Sequence, residues 1–237
     1  MKQMNQFTLK LFFISFLILI TQCSLDNQMN YPTGVPKEAS FDRKKNVFVL
    51  RKDKHEYIWY DNGKLYSDCE LNEIGIRNGK CEFFSEFNGN LLSKGNYVNN
   101  LRDGLWHWYF PNGNIYYKQN FSHKFKRDFW VETNLIGNEH GPYERYYSNG
   151  QLEEKGEYDQ GFKSGKWEKF YPSGKLEYTG AYEKDNKILS WKFYFPNGNL
   201  EAEENFSNKA EFLSRITYFP NGNVNCKNVL NQPLDCK

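Results

Sequence analysis

Hydrophobic residues recur along the chain in short runs, separated by polar turn residues at a fixed interval. Asn-Gly or Ser-Gly dipeptides stand at 62–63, 88–89, 112–113, 149–150, 173–174, 197–198 and 221–222, so the glycines are spaced by 26, 24, 37, 24, 24 and 24 residues. The 37 is one period of 24 plus a 13-residue insertion. Other positions keep phase with these glycines. An aromatic pair lies four and three residues before them: Trp59-Tyr60, Tyr109-Phe110, Tyr146-Tyr147, Phe170-Tyr171, Tyr194-Phe195 and Tyr218-Phe219. An aliphatic follows two residues after: Leu65, Leu91, Ile115, Leu152, Leu176, Leu200 and Val224. Seven before, Trp106, Tyr143, Trp167 and Trp191 fill a bulky slot; eight after, Tyr97, Phe121, Tyr158, Tyr182 and Phe206 close the unit. The second unit is one residue longer ahead of its turn, which shifts Cys81 and Phe84 by one place.

A self-similar period of this size marks a repeat array. Alternating apolar and polar residues on either side of a Gly-bearing turn predict paired antiparallel strands of about 5–6 residues. In Phe110-Pro111-Asn112-Gly113-Asn114 the proline presets φ and the glycine supplies a left-handed residue, and Pro172, Pro196 and Pro220 repeat the arrangement. A type I turn followed by a G1 bulge fits better than a two-residue I′ turn, which would put proline in a hydrogen-bonded slot. About seven hairpins follow, each too small to be stable alone and completed by stacking on its neighbours.

The pattern Gly-x-Trp-x-x-Tyr-Phe-Pro-Asn-Gly-x-Leu, ending in Gly-x-Tyr and best seen over Gly165–Tyr182, resembles the bacterial variant of the MORN repeat. The resemblance covers residues 57–225. It implies an all-β fold, an elongated antiparallel single sheet of tandem hairpins, with about 14 strands in a rod roughly 65 Å long. Some bacterial chains with this variant are labelled antitoxins of YwqK type, which implies a toxin partner, and some eukaryotic relatives are proposed to touch membrane lipid.

Residues 1–22 read as an export signal. Lys2 and Lys10 precede the apolar run Leu11–Ile20, which is about ten residues long and so well short of the roughly 20 that span a bilayer. The run leads into Leu19-Ile20-Thr21-Gln22-Cys23, which resembles the lipobox of bacterial lipoproteins, although Gln22 stands where Gly, Ala or Ser is usual. Cys23 is the expected lipidation site and the bacterial cell envelope (outer membrane or cell surface) the expected location; the alternative is ordinary secretion or a periplasmic protein. Residues 23–46 are polar, carry Pro32, Gly34 and Pro36, and are expected to form a flexible tether. Residues 47–237 are the repeat domain.

Composition and charge narrow the function. Aromatic residues make up 18% of the chain, as expected for half-buried strands. The net charge is +2, and it vanishes once Lys2 and Lys10 are set aside, which argues against nucleic acid and weakens contact with anionic lipid. The histidines His55, His107, His123 and His140 are scattered, and no nucleophile motif, phosphate loop or metal spacing occurs. No catalytic residue, cofactor or metal is expected. Four cysteines besides Cys23 form two local pairs, and disulfides Cys69–Cys81 and Cys226–Cys236 are expected out of three connectivities.

The expected function is a non-catalytic, envelope-anchored scaffold for a protein or glycan partner. Two surfaces are candidates. Strand alternation puts Trp106, Trp108 and Phe110 on one face and His107 and Tyr109 on the other. The Trp slots suit core packing, whereas Tyr109, Tyr146, Phe170, Tyr194 and Tyr218 form a file along the rod that suits either binding or structure. In the insertion, Lys124, Lys126, Arg127, Phe129 and Trp130 suit either a basic-aromatic contact patch or a lengthened hairpin.

Overall fold

The computed structural model describes residues 30–124 and 139–236. Among them there is no helix, and they form a single open antiparallel sheet of seventeen strands. In chain order these are β1 (Ser40–Asp42), β2 (Val47–Lys52), β3 (His55–Tyr60), β4 (Leu65–Leu71), β5 (Arg77–Phe84), β6 (Leu91–Val98), β7 (Leu101–Tyr109), β8 (Ile115–Phe121) and β9 (Glu139–Tyr146). They continue as β10 (Leu152–Asp159), β11 (Phe162–Phe170), β12 (Leu176–Glu183), β13 (Asn186–Tyr194), β14 (Leu200–Phe206), β15 (Phe212–Tyr218), β16 (Val224–Val229) and β17 (Asp235–Cys236). Each strand pairs with its neighbours in sequence. The hairpins from β3/β4 to β15/β16 are the seven repeat units.

Two kinds of turn alternate along the sheet. At one end, the Gly-bearing turns close as type I turns with a bulge. Gly113 N donates to Phe110 O at 2.9 Å, Phe110 N donates to Asn114 O at 2.8 Å, and Gly113 has φ +87°. The preceding asparagine tightens the turn, since its side-chain oxygen accepts from the backbone two residues on: Asn114 N to Asn112 Oδ1 is 3.0 Å and Asn199 N to Asn197 Oδ1 is 2.9 Å. At the other end, consecutive positive-φ residues make two-residue turns: Asp53-Lys54, Asn99-Asn100, Gln160-Gly161 and Lys184-Asp185. Positive φ at both central residues is the I′ geometry, whose twist matches that of the strands.

One expectation is corrected. Over residues 30–46 the chain is not a free tether. Val35 and Ala39 are buried with Phe48 and Trp59, and Tyr31, Phe41, Leu50, Tyr57 and Leu65 pack around them. Strand β1 pairs with β2, so this segment covers one face of the first hairpins. The physical reason is that Tyr31, Val35, Ala39 and Phe41 supply enough apolar surface to cover Trp59, a contact made across 18 to 28 residues of sequence.

Candidate binding surface

The sheet is one layer thick, and its two faces differ. On the first face a file of side chains crosses successive strands along the middle of the sheet: Glu56, Cys69, Cys81, Gly95, Trp106, Gln119, Tyr143, Gly156, Trp167, Gly180, Trp191, Glu204 and Arg215. Trp106, Trp167 and Trp191 are at most 1% exposed. Each indole lies over a glycine of the preceding strand: a Cβ built on Gly95, Gly156 or Gly180 would come within 2.1–2.3 Å of the ring of Trp106, Trp167 or Trp191. The absent side chain is what lets a ring of this size lie down on a single sheet. Tyr97, Tyr158 and Tyr182 then meet the indoles edge-on, at 5.1, 5.4 and 4.7 Å between centroids, a favoured aromatic geometry.

Cations complete this face. Arg102 lies 4.8 Å from the Trp106 ring, Lys163 3.9 Å from Trp167 and Lys187 4.7 Å from Trp191. Their stems cover the rings while their charges face the π-clouds, worth about 0.5–2 kcal/mol apiece. Three glutamates sit among them. Glu56 is held by Arg51 at 2.7 Å and Arg77 at 3.0 Å, Glu154 by Arg145 at 3.2 Å and the Tyr178 hydroxyl at 2.7 Å, and Glu204 by Lys187 and Arg215, each at 2.9 Å. Burial opposes ionisation of Glu56, but the two guanidiniums outweigh it and hold its carboxyl below the usual range. Burial drives the Tyr117 and Tyr158 phenols up to about 12. These groups are structural: charges are matched and rings are covered.

The opposite face carries the file Tyr109, Tyr146, Phe170, Tyr194 and Tyr218. Each pairs across its hairpin with the aliphatic two residues past the turn glycine: Tyr109 with Ile115, Tyr146 with Leu152, Phe170 with Leu176, Tyr194 with Leu200 and Tyr218 with Val224. All ten residues are half-buried. Trp59 and Leu65 are the first pair of this stripe, and Trp59 is buried beneath the N-terminal segment. Lysines edge part of the stripe, with ammonium groups 5.9, 5.0 and 5.9 Å from the Tyr109, Tyr146 and Phe170 rings. Lys118 also donates to Glu144 and to the Tyr146 hydroxyl, both at 2.9 Å. These bonds raise the Lys118 pKa.

Other residues singled out in the sequence fall as follows. Cys69 is bonded to Cys81 and Cys226 to Cys236. The first pair lies in the buried middle file and the second closes the last strand pair. Lys124 is exposed, whereas Cys23, Lys126, Arg127, Phe129 and Trp130 lie outside the described residues. Three histidines meet aspartates: His55 with Asp68 and His123 with Asp103 at 2.6 Å, and His140 with Asp159 at 3.2 Å. Among the described residues no three His, Cys, Asp or Glu side chains are grouped to hold a metal ion. Sequence reasoning missed the cations over the indoles, although Arg77, Arg102, Lys163 and Lys187 all stand four residues before the bulky slot.

The chain matches the family model described as MORN repeat variant at residues 102–123, 139–160, 163–184 and 189–208. These segments correspond to the hairpins from β7/β8 to β13/β14, four of the seven units. Among curated proteins none matches the chain. Solved structures similar to part of it include the crystal structure of TarM, at 9% identity and a TM-score of 0.30, covering 47% of this chain and 19% of that one. Another is the crystal structure of accessory secretory protein 1, 2 and 3 in Streptococcus pneumoniae, at 16% identity and a TM-score of 0.29, covering 54% and 22%. The chain spans about a fifth of the length of each.

Proposed function

We propose that the protein is a non-catalytic repeat scaffold, anchored in the bacterial envelope through Cys23, that binds a protein or glycan partner along its sheet. One observation carries the binding role: the stripe of aromatic–aliphatic pairs from Tyr109/Ile115 to Tyr218/Val224 is half-buried, repeats every second strand and continues the line of an equivalent pair, Trp59/Leu65, that is covered. Amphipathic rings in a row suit contact with polypeptide or sugar. The anchor is supported by the apolar run Leu11–Ile20 ahead of Cys23.

Crosslinking with mass spectrometry in the native bacterium tests the scaffold, with the wild type compared against a variant in which Tyr146, Phe170 and Tyr194 are serine and against a deletion of residues 122–138. A reproducible partner lost in either variant is the expected result. Failure to capture any partner with the wild type overturns the proposal. Metabolic lipid labelling of wild type and Cys23→Ala tests the anchor, which is overturned by an unmodified mature chain that lacks Cys23.

A further inference from the structure

The chain carries a ligand for its own sheet. Residues 31–39 form two proline-led turns, closed by Val35 N donating to Pro32 O at 3.1 Å and Ala39 N donating to Pro36 O at 3.0 Å. The Tyr31 hydroxyl donates to Ala39 O at 2.9 Å and ties the two turns together. Val35 and Ala39, each three residues after a proline, are the side chains buried against Trp59. The backbone of the first turn lies directly on the Asn62-Gly63 turn: a Cβ on Gly63 would stand 2.3 Å from Thr33 O and 3.0 Å from the Pro32 Cβ. The seat therefore has three parts: an aromatic–aliphatic pair and, on the neighbouring strand, Phe48, which together take the small aliphatic residues, and a bare glycine turn that takes the backbone.

Two of these parts, the aromatic–aliphatic pair and the bare glycine turn, recur together at five further places along the stripe. Gly113, Gly150, Gly174, Gly198 and Gly222 have the same positive φ as Gly63, and among the described residues nothing lies within 4 Å of a Cβ built on any of them. Around the last of these turns, Gly222 and Val224 line an open depression together with Phe219, Asn221 and Asn223. Each seat lies two strands from the next, a spacing of about 10 Å.

We infer that these five open seats bind proline-led tight turns of another polypeptide, with a valine or alanine three residues after the proline set against the aromatic–aliphatic pair, as residues 31–39 are set against Trp59 and Leu65. A partner with several such turns would engage several seats, and its avidity would grow accordingly. This deepens the scaffold reading and rests on it.

The probe is a synthetic peptide of residues 30–40, titrated into the soluble repeat domain with its own N-terminal segment in place and followed by amide NMR. A segment tethered beside its seat works at a millimolar effective concentration, so the free peptide is taken to about 5 mM. The expected result is saturable shifts at two or more of Gly113, Gly150, Gly174, Gly198 and Gly222. A control peptide carrying Pro32→Gly, Val35→Gly, Pro36→Gly and Ala39→Gly is expected to shift them at least fivefold less. Phe170→Ser is expected to remove the response at Gly174 and leave that at Gly222; Tyr194→Ser, with loss at Gly198, serves if the first variant does not fold. Shifts at fewer than two seats, equal shifts with both peptides, or shifts confined to the tryptophan face overturn the inference. A partner crosslinked through the insertion or the tryptophan face, together with a null titration, would leave the scaffold standing and remove this inference alone.

Discussion

The indole of Trp106 occupies the space that a side chain on Gly95 would need, with ring atoms 2.3–2.5 Å from where that Cβ would be. The relation repeats at Gly156/Trp167 and Gly180/Trp191, and the chain changes both partners together where it departs from it. Gln119 pairs with Tyr143, Glu204 pairs with Arg215 and Cys69 pairs with Cys81. Gly95→Ala, Gly156→Ala and Gly180→Ala are each expected to destabilise the domain by about 1–3 kcal/mol, because overpacking forces the ring or strand to shift. Urea denaturation checks this. A loss below about 0.5 kcal/mol at all three sites would mean that the indoles move freely and that the glycines are there only for the bulge.

Leu189 stands where three other repeats have a left-handed glycine. Its φ is +58°, against +65° at Gly104, +95° at Gly141 and +66° at Gly165, and the residue is half exposed. A bulky residue in this region costs roughly 1–2 kcal/mol, partly offset by the extra unfolded-state entropy of glycine. Leu189→Gly is therefore expected to stabilise the domain by about 0.5–1 kcal/mol, and Gly165→Leu to destabilise it by about as much. The urea midpoints of the two variants should move in opposite directions; a lower midpoint for Leu189→Gly would show that the leucine makes a contact that outweighs its strain.

The Gly-bearing turns were legible because one residue type marks each of them at a fixed interval. The far turns were not, because Asn99-Asn100, Gln160-Gly161 and Lys184-Asp185 reach the same positive φ with different residues. The burial of the bulky slot was legible from strand alternation. Its companions on that face were not: Arg102, Lys163 and Lys187 are in phase with the indoles, but lysine and arginine occur throughout the chain and their period has no contrast. The segment over Trp59 read as linker because Pro32, Gly34 and Pro36 interrupt any strand pattern. Its docking depends on a contact across the fold that no local signal carries.

The two disulfides should matter unequally. Cys69 and Cys81 sit in the buried file between two repeats, so Cys69→Ala with Cys81→Ala is expected to cost about 2–3 kcal/mol by the chain-entropy estimate for a short loop. Cys226 and Cys236 hold a two-residue strand at the end of the array. Removing them should fray that strand and leave the main thermal transition nearly unmoved. Calorimetry of the two double variants checks the contrast, and equal falls in Tm would refute it.

Glu56 gives the fold an acid-sensitive point near its first repeat. Its carboxyl is held below the ordinary value of 4.5: burial pushes it up, and the bonds from Arg51 and Arg77 push it down further. The folded state thus prefers the ionised form. The contribution of this group is fully present above about pH 4.5, the unfolded value, and is lost as pH falls through the lower folded value. Glu56→Gln keeps the shape but not the charge, and is expected to cost about 2 kcal/mol at pH 7. Because the wild type forfeits the same contribution once Glu56 is protonated, the gap between the two proteins should shrink progressively below pH 4.5. Urea unfolding at pH 7 and at pH 3 measures both points, and a gap that stays constant with pH would show that the glutamate acts by packing rather than by its charge.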